Sequence, residues 1–75
     1  MKQLKKYIQS LSETDVKNLF AQAKLTELEY WVLYYGTYKK RLVENTCMKL
    51  NISRAYYFIL QGKGLIKIYY TINKS

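Results

Sequence analysis

Apolar side chains along this chain recur at intervals of three and four, the repeat of one helix face, and not at the alternation of a half-buried strand. Leu4, Tyr7, Ile8 and Leu11 form a first, short set. Val16, Leu19, Phe20 and Ala23 form a second, predicting a helix over about 13–24 with a single apolar stripe. Leu28, Val32, Leu33 and Tyr35 form a third. Gly36 is expected to close that helix, since glycine enters the left-handed cap conformation without a Cβ penalty. Thr37 to Arg41 then read as a short basic connector. Leu42, Val43, Cys47 and Leu50 predict the next helix and Arg54 to Leu60 another. Leu65, Ile66, Ile68, Tyr69 and Ile72 predict a last helix before the polar tail Asn73-Lys74-Ser75. Isoleucine and tyrosine also suit a strand over Leu65–Thr71, but a single strand would have no partner in this chain.

Start and stop signals agree with this division. Ser12 stands three residues before Asp15, a weaker relative of the capping box, and Thr26 with Glu29 makes the full box. Asn51-Ile52-Ser53 carries the most information. Asn51 can take the positive φ that glycine usually supplies, Ile52 can plug the corner between two helices, and Ser53 can cap the second of them. Cys47, four residues before Asn51, offers a small side chain where the helices must approach closely. That pattern reads as a helix-turn-helix. The expected fold is all-α, a small four- to five-helix domain containing a helix-turn-helix. Residues 1–24 would pack on or extend the core, and residues 25–75 would form the helix-turn-helix domain.

Composition narrows the function more than the fold. Seventy-five residues make one domain. Cys47 is the only cysteine and there is no histidine, so an intrachain disulfide and a His/Cys zinc site are both excluded. The Cys47 slot reads as core rather than as a redox thiol. No nucleophile stands with a base, so no catalytic residue, cofactor, metal or small-molecule substrate is expected, and the protein reads as a non-enzyme. Gly62-Lys63-Gly64 has the wrong spacing and a helical context for a phosphate loop. No apolar run approaches the ~20 residues of a membrane span. The opening MKQLKKYIQS lacks the apolar stretch of a secretory signal. A cytoplasmic location without membrane association is the expectation.

The formal net charge is +8, from thirteen basic and five acidic residues. From Lys39 onward the basic residues Lys39, Lys40, Arg41, Lys49, Arg54, Lys63, Lys67 and Lys74 face Glu44 alone. Such a balance favours phosphate backbones or other anionic surfaces as partners. Lys39, Lys40 and Arg41 suit a phosphate clamp beside the corner, and equally a solvated loop.

Three pieces then fall in a familiar order. Leu25-Thr26-Glu27-Leu28-Glu29 with Val32-Leu33 resembles the opening helix of region 4 of bacterial sigma-70-type factors. Leu42 through Ser53 is similar to that family's first helix-turn-helix helix and turn, and Lys63-Gly64-Leu65-Ile66-Lys67-Ile68 to the run after its recognition helix. The resemblance covers about 25–68, interrupted at the basic connector, with residues 1–24 outside it. It implies a four-helix promoter-recognition domain that reads double-stranded DNA and touches RNA polymerase. In the family, the positions matching Arg54, Ala55, Tyr56, Phe58 and Ile59 are largely charged or amide side chains facing DNA, and those matching Tyr57 and Leu60 pack inward. Only Arg54 keeps that chemistry here.

Arginine can bond a guanine edge bidentately, whereas Phe58 and Ile59 offer apolar contact such as to a thymine methyl. Tyr56 can give its hydroxyl to a phosphate or base edge, and the Ser53 hydroxyl can meet a phosphate as well as cap. Lys63 follows the helix within reach of the backbone. The DNA-facing set is therefore Lys39, Lys40, Arg41, Ser53, Arg54, Ala55, Tyr56, Phe58, Ile59 and Lys63. Trp31, Tyr34 and Tyr38 form a second stripe on the third helix, away from Leu28 and Val32, and suit a protein interface. Stacking on single-stranded bases is a rival use of such rings. The leading expectation is a small DNA-binding transcription regulator. The alternative is a helix-turn-helix that has lost base reading and serves protein interaction, as a homodimer or on a polymerase or phage factor.

Overall fold

The computed structural model of the protein describes residues 2–74. Its elements are α1 (Lys2–Ser10), α2 (Glu13–Gln22), α3 (Glu27–Trp31), a π-helical segment (Val32–Tyr38), α4 (Val43–Leu50) and α5 (Arg54–Ile72). The described residues contain helices and no strands, so the protein is all-α. None of these helices is long and apolar enough to cross a membrane.

The capping signals act as the sequence predicts. Ser12 Oγ accepts from the Asp15 N–H at 3.1 Å, which starts α2. At α3, Thr26 Oγ1 accepts from the Glu29 N–H at 3.3 Å while Glu29 Oε1 accepts from the Thr26 N–H at 2.9 Å. Both bonds satisfy donors that a helix N-terminus otherwise leaves orphaned.

Three expectations are corrected. Gly36 does not close a helix, because no described glycine has a positive φ. The chain instead widens into π turns through Tyr38, with the Lys39 N–H reaching the Tyr34 carbonyl at 2.9 Å. Gly36 is small for another reason: a Cβ there would overlap the hydroxyl of Tyr57. The left-handed residue after the segment is Lys40, at φ 56°. Second, the helices expected over 54–60 and 65–72 are one helix of 19 residues, running through Gly62 and Gly64. Gly64 allows the close passage, since a Cβ there would lie 2.7 Å from Leu33 Cδ1. Third, Leu42 is not part of the α4 stripe but its N-cap, 70% exposed. Thr46 takes the inward place, giving Val43, Thr46, Cys47 and Leu50 at helical spacing.

Two apolar clusters result. Ile8, Val16, Phe20 and Ala23 from the N-terminal segment pack with Leu33, Leu65 and Ile68. Val32, Cys47, Tyr57 and Leu60 form the other, under the α4–α5 corner, with Leu28, Val43, Leu50 and Ile52 around it. Helix α5 enters both, giving Tyr57 and Leu60 to the corner and Leu65 and Ile68 to the N-terminal core. The buried Glu29 fixes α5 against α3 through Lys67, whose Nζ lies 2.7 Å from Glu29 Oε1. Burial pushes the Glu29 carboxyl up, but Lys67 and the Thr26 donors outweigh it and hold it below its ordinary value.

Candidate nucleic-acid interface

The α4–α5 corner is built by its three connecting residues. Asn51 adopts φ 56° and ψ 48°, the left-handed conformation that its short polar side chain tolerates. The Ile52 N–H donates to the Cys47 carbonyl at 3.0 Å and the Asn51 N–H to the Met48 carbonyl at 3.3 Å, a Schellman closure. Ile52 packs on the corner core, and Cys47 is buried beneath the turn with its thiol donating to the Ser53 carbonyl at 3.8 Å. Ser53 Oγ accepts from the Tyr56 N–H at 3.1 Å and starts α5.

From this cap the helix divides cleanly. Tyr57 and Leu60 are buried, whereas Ser53, Arg54, Ala55, Tyr56, Phe58, Ile59 and Lys63 are exposed. Phe58 is 47% and Ile59 52% exposed, a large apolar area on an otherwise basic surface. The Arg54 guanidinium lies 5.6 Å from the centroid of the Phe58 ring, a cation–π contact one turn apart. It lays the arginine along the helix surface. Ser53 Oγ uses a lone pair for its cap bond, and its own proton remains free to donate to an anion.

The basic connector is not uniform. Lys39 Nζ lies 3.5 Å from Glu13 Oε2 and 5.7 and 5.8 Å from the Tyr34 and Tyr38 ring centroids. Much of its charge is therefore answered within the chain. Lys40 is exposed, and among the described residues no carboxylate pairs with it. Arg41 lies 5.6 Å from the Tyr35 centroid, and Lys49, from the last turn of α4, 5.1 Å. Trp31 stacks on the same tyrosine at 5.4 Å and 20°. Tyr35 and Lys49 thus join a basic–aromatic cluster that the sequence reading did not single out. No linear spacing connects them. Only the packing of α4 on the π segment brings them together.

Trp31, Tyr34 and Tyr38 do not form a free stripe. Tyr30, Tyr34 and Tyr38 pack against the N-terminal core, all half-buried. The Tyr38 hydroxyl donates to the Leu11 carbonyl at 2.8 Å, and the Tyr34 hydroxyl donates to Glu13 Oε1. Residues 1–24 cover the face that periodicity alone leaves open. The bond to Glu13, assisted by desolvation and the carboxylate charge, pushes the Tyr34 phenol up to about 12. The same bond, followed by Lys39, holds Glu13 below its ordinary value. Trp31 lines a shallow depression with Leu25, Glu27 and Tyr30.

No protein-family model, curated protein or solved structure matches the chain. The class of protein is accordingly set by the fold alone: a small all-α domain with a basic, partly apolar corner.

Proposed function

We propose that the protein is a small non-enzymatic DNA-binding regulator of transcription, a helix-turn-helix that contacts duplex DNA through the first turns of α5. What supports this reading is the division of those turns. Arg54, Tyr56, Phe58 and Ile59 face outward and Tyr57 and Leu60 anchor inward, the arrangement implied by the likeness to sigma region 4. In this reading Arg54 meets a guanine edge, Phe58 and Ile59 meet thymine methyls, and Ser53 and Tyr56 donate to phosphates. Lys40 and Arg41 clamp the backbone, with Lys49 added from α4. RNA polymerase is the protein partner that the same likeness suggests.

An amide-shift titration with an AT-rich duplex tests this. Shifts should centre on Ser53–Ile59 and Lys40–Arg41, and affinity should fall with salt by about 0.9 in log–log slope per phosphate neutralised. An Arg54→Ala, Lys40→Ala double variant that binds duplex as tightly as the wild type rejects the residue assignment. One observation favours a second reading, a protein-interaction module: the half-exposed Phe58 and Ile59 stand where base-reading polar groups would be expected. Concentration-dependent sedimentation with no duplex binding would select it.

A further inference from the structure

Two cations from different segments converge on the ring of Tyr35 without a counter-charge. Lys40, left-handed at φ 56°, turns the connector, and the Arg41 N–H returns to the Tyr35 carbonyl at 3.0 Å. The guanidinium of this tethered arginine lies 5.6 Å from the Tyr35 centroid. Lys49, in the last turn of α4, brings its ammonium to 5.1 Å from the same centroid. The ring itself is held: Trp31 stacks on it at 5.4 Å, and Tyr34 meets it edge-on at 5.4 Å and 76°. Packed in this way, the half-buried ring is a fixed platform, while both cations are exposed.

The two heads lie no farther apart than those centroid distances laid end to end, a separation of the order of the ~8 Å Debye length in physiological salt. They therefore repel, and the ring attracts each of them without cancelling its charge. Among the described residues no carboxylate pairs with Arg41 or Lys49, not even Glu44 on the same helix as Lys49. Lys39 makes the contrast, since Glu13 answers it at 3.5 Å. An anion seated between the two heads removes their repulsion and is met from two sides. Arginine's fork pairs bidentately with a phosphate and lysine meets it as a point charge, so the two side chains can share one group. The net charge of +8 favours a phosphate-bearing partner over an isolated carboxylate. A nucleobase has no place on the ring, whose surroundings are taken by Trp31, Tyr34 and the cations. We propose that Arg41 and Lys49 hold one phosphate group between them, with Tyr35 as the residue that positions the pair. This deepens the DNA reading and rests on it only for the source of the phosphate, a duplex strand rather than a free phosphate compound.

Trp31 is the only tryptophan and stacks on Tyr35, so its emission reports on the site. Adding sodium pyrophosphate to the whole protein at constant ionic strength should change that emission saturably, and sodium acetate should not. Arg41→Gln and Lys49→Gln, both at exposed positions, should each weaken pyrophosphate binding about 3- to 10-fold, the worth of a charge-assisted hydrogen bond in an exposed setting. The double variant should lose less than the product of the single losses, because both heads hold one group. Tyr35→Phe keeps the ring and should retain binding, whereas Tyr35→Leu should abolish the non-additivity. Lys6→Gln makes the same charge change at an exposed position of α1 and should leave binding intact. Acetate saturating as tightly as pyrophosphate, strictly multiplicative losses, or an equal loss with Lys6→Gln overturns the proposal. A short AT-rich duplex, titrated in parallel with the same variants, separates the site from the DNA reading. Duplex binding that ignores both substitutions rejects the site and keeps that reading. Pyrophosphate binding with no duplex binding keeps the site and rejects the reading.

Discussion

The two cores of this chain differ in how they are held. The N-terminal core gathers seven buried residues and is fastened by polar bonds: Tyr38 to Leu11, Tyr34 to Glu13, and Gln9 Nε2 to the Thr37 carbonyl at 3.0 Å. The corner core has four buried apolar residues, and its buried Thr46 Oγ1 has no partner among the described residues. The corner, where the candidate interface lies, is therefore the smaller of the two cores. It shares α5 with the larger core, which takes Leu65 and Ile68 from the same helix. The corner surface thus shares its longest helix with a core built in part by residues 8–23.

The sharpest way to break this comparison is Phe20→Ala. The expected loss is ~3–5 kcal/mol, enough to unfold a domain of this size. If the corner depends on the N-terminal core, amide protection at Cys47 and Tyr57 should vanish together with that at Val16. Retained corner protection would show two independent units. Next in size is Gly36→Ala, which sets a methyl against the Tyr57 hydroxyl and should cost ~1–3 kcal/mol. That corresponds to roughly 4–8 °C in Tm per kcal/mol for a domain of this length. Lys40→Gly should act in the opposite direction, gaining up to ~1 kcal/mol by relieving a left-handed lysine. In the proposed function it also loses a phosphate contact, so Tm should rise while duplex affinity falls. Lys24→Gly, at φ 55°, should raise Tm and leave affinity alone. Gly62→Ala, in the open middle of α5, should add ~0.5–1 kcal/mol, because nothing obstructs its methyl and the unfolded chain loses freedom.

The smallest effects lie on the pH axis. The lowered carboxyls of Glu13 and Glu29 favour the native state above the ordinary value of 4.5, and that contribution is lost as pH falls through their lower native values. Tyr34 works in the other direction: its raised phenol contributes below 10 and loses that contribution as pH climbs towards about 12. Glu13→Gln should flatten the alkaline limb, and part of the acid one, in a thermal-melt series.

Local chemistry was legible in the sequence, and long-range packing was not. The caps at Ser12, Thr26 and Ser53 and the left-handed Asn51 are written in adjacent residues, because their hydrogen bonds span three to five positions. The inward Tyr57 and Leu60 follow from periodicity. The role of Gly36 was hidden because its reason is a side chain 21 positions away, and a glycine after an apolar stripe looks like a cap. The unbroken α5 was hidden by two glycines that ordinarily end helices, one of which serves close packing on Leu33. Thr46 was invisible to a hydrophobic pattern. Lys39 read as free because its carboxylate, Glu13, lies 26 positions earlier in the chain.

The continuity of α5 has a mechanical meaning. Its 19 residues form a rod of ~28 Å with Arg54 near one end and Tyr70 near the other. A rod without a hinge converts a small rotation at one end into a displacement at the other. Whatever tilts the C-terminal end must also re-aim the arginine, and by reciprocity whatever fixes the arginine stiffens the far end. The two ends are thus linked by leverage through one unbroken helix.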